Sequence, residues 1–233
     1  MTILPAILLQ TIPQASDYVR ILPELTLSTF GIAIMLLEPL VDEEKSQKTL
    51  GIIAFFGTLA GLAATWSMAK SPGLAFSTFI HVDSFTVFFN FLVIAIAAVT
   101  ILSSFEYMAV QRIRAGEYYA LILFGAVGMS LMVSAVELVL IFIGLEISSI
   151  STYILAGFRR NDASSSESSL KYFLLGSFAT AFFLYGVALM FGATGSTNID
   201  IIARKLQTAP AEVLVFLAMT ISAPCCTLCQ CDG

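Results

Sequence analysis

The stretch "LVLIFIGLEISSISTYILAG" (residues 138–157) has the length and composition of a helix that crosses a membrane. About 20 helical residues, at roughly 1.5 Å each, span the ~30 Å hydrocarbon core of a bilayer. One acidic residue, Glu146, interrupts this apolar run. A charged side chain at that depth costs on the order of 2.5–3.5 kcal/mol. The presence of Glu146 therefore needs an explanation.

Similar apolar runs occupy most of the remaining sequence. Hydrophobic residues make up 58% of the chain and charged residues 12%, whereas soluble domains carry about 25% charged residues. The alternation expected of β-barrel strands is absent, and no basic run indicates nucleic-acid binding. We therefore predict an all-α, polytopic membrane protein with six full transmembrane helices and the start of a seventh. The other runs cover residues 22–41, 50–69, 85–104, 118–136 and 169–192, and the last begins near residue 211.

The basic residues predict the orientation of the chain in the membrane. Short cytoplasmic loops are enriched in Lys and Arg, and the loops after the first, third and fifth runs carry more of them than the opposite side does. We therefore expect the N-terminus to face the outside. The first group is Lys45, Lys48, Arg112, Arg114, Arg159 and Arg160, and the second is Arg20, Lys70, Arg204 and Lys205.

Glu146 belongs to a polar stripe on its helix. At about 100° per residue, Glu146, Ser149 and Tyr153 lie on one side, which should face the protein interior or a wet cavity. Burial favours the neutral acid and a nearby cation favours the carboxylate, so a group between these influences can gain and lose a proton. The alternative is an acid that stays protonated and hydrogen-bonds a neighbouring helix. We favour a proton relay because an intramembrane acid is a functional-site hypothesis by default.

Lys171 is a second candidate. Ser164 and Glu167 have the spacing of a capping box, which predicts a helix start near "SSSESSLKYFLL" and places Lys171 roughly 10 Å inside the helix. Glu167 lies four residues earlier, in the favourable order for a helix ion pair. From spacing alone, Lys171 fits an interfacial ion pair as well as it fits a relay.

Other acids have structural explanations. Glu24 follows Pro23 at a predicted helix start, where the helix dipole favours an anion. Glu137 follows Ser134 at capping-box spacing and is predicted to cap the fifth helix. His81 lies in a loop-like stretch without partners that would indicate a metal site.

No cofactor site is predicted on this chain. The sequence has no nucleotide-binding glycine loop, and no cysteine precedes residue 225, which excludes iron–sulfur ligation from the membrane body. If electrons or nucleotides are involved, we expect another polypeptide to handle them.

The region "GEYYALILFGAVGMSLMVSAVELVLIFIGLEISSISTYILAGFRRNDASSSESSLKYFLLGSFATAFFLYGVALMFGATGS" resembles subunit N of proton-translocating NADH-quinone oxidoreductase, respiratory complex I, and so does the early "ILPELTL". The resemblance implies an antiporter-like membrane subunit without a redox centre of its own. It also implies that Glu146 pairs with a lysine on a later helix and that Lys171 contributes to the same half-channel.

The C-terminus departs from this resemblance. The family continues beyond the seventh run with a segment that carries the partner lysine, whereas this chain ends in "AMTISAPCCTLCQCDG". The cysteines at 225–231 crowd together, and zinc sites use separated pairs. We therefore divide the chain into residues 1–224, the N-terminal part of an antiporter-like domain, and residues 225–233, an atypical tail that we expect to be out of frame and without an ordered metal site. On this interpretation the chain is truncated.

Together these observations predict a multi-pass subunit of an energy-transducing membrane, such as the bacterial inner membrane. Its function would be proton translocation coupled to quinone reduction on other subunits of complex I, which would carry NADH, flavin, iron–sulfur clusters and quinone. Glu146 would be the central acid/base, Lys171 a neighbouring relay cation, and Ser149 and Tyr153 would line the path. The alternatives are a cation/proton antiporter subunit and a structural subunit needed for assembly of the membrane arm.

Overall fold

The computed structural model describes residues 15–40, 43–111, 115–159 and 162–208. Helices account for most of these residues, and a 3₁₀ turn at Glu38–Leu40 follows the second helix. In chain order the helices are α1 (Ala15–Arg20), α2 (Leu22–Leu37), α3 (Glu43–Met68), α4 (Ser84–Gln111), α5 (Ala115–Ser134), α6 (Leu138–Ala156), α7 (Ala163–Thr194) and α8 (Ile199–Thr208).

The prediction of six membrane-spanning helices is confirmed. Within the described residues, α2 together with the 3₁₀ turn that follows it forms a segment long and apolar enough to cross a bilayer, and α3 to α7 each contain another. The seventh predicted run, from about residue 211, and the cysteine-rich tail at 225–233 lie outside the described residues, so both stay predictions. The six segments are Leu22–Leu40, Lys48–Met68, Ser84–Phe105, Gly116–Ser134, Leu138–Ala156 and Ala163–Thr194.

The core of the bundle lies between α2, α3, α4 and α5. It is built from aliphatic side chains such as Leu27, Ile94 and Leu123, all fully buried. Glycine allows close approach within it: a Cβ on Gly61 would lie 3.1 Å from Leu27 Cδ2 and 3.6 Å from Ile94 Cδ1. Leu27, Gly61 and Ile94 therefore mark one level of the bundle, which is used below to place polar groups.

Backbone hydrogen bonds close one end of the bundle. An antiparallel hairpin of β1 (Gly73–Ala75) and β2 (Ile80–Val82) connects α3 to α4. The Val136 amide donates to the Phe79 carbonyl (2.9 Å), and the Leu138 amide donates to the Thr197 carbonyl (3.0 Å). The interhelical connections at this end therefore form a bonded layer. His81 lies on β2, so its placement in a loop was wrong; the strand is too short to show a periodic pattern.

Two helix starts differ from the capping predicted by sequence. Asp162 caps α7, since its Oδ1 accepts a hydrogen bond from the Ser164 amide (3.1 Å). The predicted capping box of Ser164 and Glu167 was therefore wrong, because Asp162 takes the N-cap position two residues earlier. The predicted capping box of Ser134 and Glu137 was also wrong, because Glu137 itself occupies the N-cap position of α6 and its side chain makes no capping bond. Its Oε2 instead accepts from the Thr197 hydroxyl (3.3 Å).

Asp83 supplies a side-chain cap for α4. Its Oδ1 accepts a hydrogen bond of 2.7 Å from the Thr86 amide, and this bond holds the pKa of the Asp83 carboxyl below its usual value. A carboxylate with a lowered pKa stabilises the folded state above the pKa of the unfolded chain and loses that effect as the pH falls. The cap therefore remains ionised at neutral pH.

We expect Arg20→Ala to loosen the hairpin. The Arg20 guanidinium donates to the carbonyls of Ser71 (3.1 Å), Pro72 (3.2 Å) and Leu74, and hydrogen bonds from a charged group contribute about 1.5–3 kcal/mol each. Amide hydrogen exchange at 73–82 should accelerate at least tenfold. Arg20→Lys, which keeps the charge but not the planar fork, should restore part of the protection. Unchanged exchange in Arg20→Ala would show that the hairpin does not depend on this anchor.

Candidate functional site

The polar stripe of α6 faces α7. Near one end of this interface, the rings of Phe142 and Phe183 are stacked, with centroids 6.3 Å apart. Near the other end, the Tyr153 ring packs edge-on against Tyr172 at 5.3 Å. At about 100° per residue, Glu146 lies within roughly 40° of both Phe142 and Tyr153 around the helix axis. Glu146 therefore lies on the side of α6 that packs against α7.

The carboxyl group of Glu146 is partly withdrawn from solvent. Its Oε1 atom is buried and has no hydrogen-bond partner among the described residues. Ser149, one turn further along the same face, is half-buried. Burying a polar oxygen without a partner is costly, and a bound water or a proton on the acid would remove part of that cost. Oε1 is therefore the atom of this face that needs a hydrogen-bond partner.

The opposite side of α6 packs closely against α5. A Cβ on Gly128 would lie 2.6 Å from the Gly144 carbonyl oxygen and 2.6 Å from the Ser148 nitrogen. Distances this short mean that the two backbones touch, which small residues permit in membrane helices. Gly144 lies two residues before Glu146, so this contact fixes the rotation of α6 and hence the direction of the carboxyl group.

Tyr153 fills the interface between α6 and α7. A Cβ on Gly176 would overlap the Tyr153 hydroxyl, and the Ser169 hydroxyl donates to the Tyr153 carbonyl (2.8 Å). A second bond joins the Ser165 hydroxyl to the Ala156 carbonyl (2.8 Å). These contacts hold the two helices together at this end. They also place the Tyr153 hydroxyl on the same face as Glu146.

Lys171 lies on α7 beside Glu167. Its Nζ is 2.6 Å from Glu167 Oε1, and the two side chains are 74% and 65% exposed. The contacts of Phe142 with Phe183 and of Tyr153 with Tyr172 set the register of α6 against α7. In this register, the residue of α6 that lies beside Lys171 is about eight residues from Glu146. Eight residues correspond to roughly 12 Å along the helix axis. The structure places both residues on neighbouring helices but does not bring them into contact.

Sequence reasoning missed two features of the structure. The backbone contact of Gly128 with Gly144 involves two glycines that are far apart in sequence. The small-xxx-small spacing of Gly144 and Ser148 was the available signal. The second feature is the burial of Glu24, which is 3% exposed although it lies in the first turn of α2 as predicted. Among the described residues there is no group of three or more His, Cys, Asp or Glu that could hold a metal ion.

Comparison with known proteins decides the family. Residues 135–226 match the family model described as "NADH:quinone oxidoreductase/Mrp antiporter, TM". The NADH-quinone oxidoreductase subunit N 2 of Koribacter versatilis is 55% identical over 213 residues, which cover 88% of this chain and 43% of that protein. The chain belongs to this antiporter-like family. The resemblance noted from the sequence is thereby confirmed.

Solved structures agree with this family assignment. A chain of respiratory complex I from Thermus thermophilus with bound aureothin superposes with a TM-score of 0.67 and 31% identity, over 86% of this chain and 42% of that chain. A chain of the archaeal membrane-bound sulfane sulfur reductase gives 0.70 at 22% identity, covering 89% of this chain and 43% of that chain. The latter likeness shows the fold alone. This member of the family spans less than half the length of the relatives it matches.

Proposed function

We propose that this chain contributes a proton half-channel to the membrane arm of an NADH-quinone oxidoreductase. The observation that carries the proposal is the buried Glu146 Oε1, without a hydrogen-bond partner in the described part of the chain, on the face of α6 that packs against α7. In this role Glu146 accepts a proton from one side of the membrane and releases it toward the other. Family membership supports this role.

Three further residues contribute to the proposed proton path through Glu146. Ser149 and Tyr153 share the face of Glu146 and offer hydroxyl groups that can order water along the helix. Lys171 supplies a positively charged group about 12 Å away along the helices. Water has to bridge this distance, since the two side chains do not touch. Proton movement along the path therefore depends on hydration of the α6–α7 interface.

Partners and location follow from the same proposal. The neighbouring membrane-arm subunits and the lipid bilayer surround the chain, and NADH, flavin, iron–sulfur clusters and quinone belong to other subunits. The membrane is the bacterial inner membrane or its equivalent. The distribution of Lys and Arg favours an N-terminus on the outside, so the bonded layer with the hairpin faces outward.

The test is proton translocation measured together with electron transfer in inverted vesicles that contain the assembled oxidoreductase. Loss of translocation per electron in Glu146→Gln supports the proposal. Sodium-dependent rather than quinone-dependent activity would favour the cation/proton antiporter. A loss of assembled complex with unchanged translocation per complex would favour a structural subunit.

We expect Lys171→Met to reduce the rate of proton translocation several-fold without a measurable loss of assembled complex. The exposed pair of Lys171 with Glu167 contributes only about 0.3–0.5 kcal/mol to helix stability, so its loss does not unfold α7. The matched control is Glu167→Gln, which breaks the same ion pair but keeps the cation. Equal translocation rates in these two variants would remove Lys171 from the path.

A further inference from the structure

A second buried acid lies on the other side of α5 from Glu146. Glu24 is 3% exposed, and neither of its carboxyl oxygens has a hydrogen-bond partner among the described residues. Asn90, on α4, is fully buried and lies beside this carboxyl group. The Asn90 Oδ1 atom also has no hydrogen-bond partner among the described residues. Three buried oxygens without a hydrogen-bond partner therefore lie close together, with the Asn90 amide group as the donor beside the carboxyl group.

The register of the bundle places these groups at one level. Leu27, Gly61 and Ile94 meet at the level defined above. One helical turn from this level toward the hairpin end, Glu24 on α2, Thr65 on α3 and Asn90 on α4 lie at a common level. The Asn90 amide nitrogen lies 3.8 Å from Met68 Sδ on α3, in agreement with this placement. The three helices therefore bring these polar side chains to one level of the bundle.

α5 contributes a further polar group. A Cβ on Gly31 of α2 would lie 3.2 Å from Phe124 on α5, so these two residues are at the same level. Two helical turns from this contact, Glu24 on α2 is level with Leu131 and Ser130 on α5. Ser130 is fully buried, and its hydroxyl oxygen has no hydrogen-bond partner among the described residues. It adds a group that can donate or accept. Four unsatisfied oxygens from three helices therefore lie at this level of the bundle.

The uncharged surroundings decide the protonation state of Glu24. Asn90, Thr65, Met68 and Ser130 carry no charge, and the Thr65 hydroxyl donates to its own helix, to the Gly61 carbonyl (2.9 Å). Two charged groups at this end of the bundle are engaged elsewhere: Arg20 is paired with Asp17 at 3.4 Å and with the hairpin carbonyls, and Asp83 caps α4. A buried carboxylate without a cation becomes protonated rather than remaining charged.

We infer that Glu24, Asn90 and Ser130 form a hydrated proton-binding site, separate from Glu146. A hydronium ion from the aqueous phase transfers its proton to one Glu24 oxygen and leaves as water; the new O–H group donates a hydrogen bond to Asn90 Oδ1, and a water molecule satisfies the remaining oxygen and the Ser130 hydroxyl. The ligand is a proton with its accompanying water. α5 packs against both α2 and α6, so it separates this site from the α6–α7 path. The inference does not depend on the proposed role of Glu146.

The experiment is chemical modification of the assembled complex with dicyclohexylcarbodiimide, a lipid-soluble reagent that reacts with protonated carboxyl groups. The adduct is located by mass spectrometry. We expect an adduct on Glu24 at neutral pH. Absence of an adduct on Glu24 would overturn the inference, because the group would then be ionised or closed to exchange.

A second measurement guards against a purely structural explanation. Glu24→Gln keeps the shape and can donate to Asn90 Oδ1 from its amide, so the amount of assembled complex should match that of the unmodified protein. Glu24→Leu cannot donate and should reduce it several-fold, because Asn90 Oδ1 then loses its donor. A loss of assembly in Glu24→Gln as large as in Glu24→Leu would show that the negative charge is required, which contradicts the inference.

Discussion

Replacing Glu146 with Gln is expected to lower proton translocation by roughly 10²-fold, the smaller end of the contribution of a positioned acid–base group. Gln has nearly the same shape as Glu and can fill the same place between α6 and α7, but it cannot bind and release a proton at neutral pH. The amount of assembled complex should therefore stay within about twofold. The measurement is the initial rate of acidification of inverted vesicles, divided by the amount of complex.

The matched control for this change is Glu137→Gln. Glu137 is the N-cap residue of the same helix, and its Oε2 accepts a hydrogen bond from the Thr197 hydroxyl; the amide oxygen of Gln can accept the same bond. The chemical change is identical, but the site is outside the membrane-spanning part of α6. Acidification at the unmodified rate is expected here. A similar decrease in both variants would mean that the effect of Glu146→Gln is not specific to its position.

Gly128→Ala is expected to reduce the assembled complex several-fold. The new Cβ would lie 2.6 Å from both the Gly144 carbonyl oxygen and the Ser148 nitrogen. These are backbone atoms, so the overlap is relieved only by separating α5 from α6. Overpacking costs about 1–3 kcal/mol, and changes of this size alter protein abundance several-fold. The measurement is the amount of complex in native gels and its unfolding temperature in detergent.

A neighbouring glycine provides the control for this second prediction. On the same helix, Gly125 has only the Ser151 Cβ near its own Cβ position, at an ordinary 3.7 Å. Gly125→Ala should therefore assemble normally. The double variant Gly128→Ala/Gly144→Ala should cost less than the sum of the two single changes, because one separation of the helices relieves both overlaps. Equal yields of the Gly128→Ala and Gly125→Ala variants would contradict the close contact.

The spans and the position of Glu146 could be predicted because membrane insertion depends on local quantities. A run of about 20 apolar residues is visible without knowledge of its neighbours, and the helical period places Glu146, Ser149 and Tyr153 on one face. Both inferences need only the residues of one helix. The structure then shows that this face packs against α7.

Features that depend on neighbouring helices could not be read from the sequence. Glu24 resembles an ordinary residue of a first helical turn, and only the packing of α3, α4 and α5 around α2 buries its carboxyl group. The cap of α7 was assigned wrongly because both Asp162 and Ser164 are suitable cap residues; the backbone conformation decides between them. The hairpin after α3 is held by Arg20 and by backbone bonds to distant loops, neither of which leaves a local pattern.

The most direct test is whether Glu146 changes its protonation state during turnover. Infrared difference spectra of the assembled oxidoreductase, recorded before and after addition of NADH, report the carbonyl stretch of protonated acids. The account predicts a difference band that shifts in D₂O, persists in Glu137→Gln and is absent in Glu146→Gln. Identical spectra for the unmodified protein and Glu146→Gln, while protons are still translocated, would contradict it.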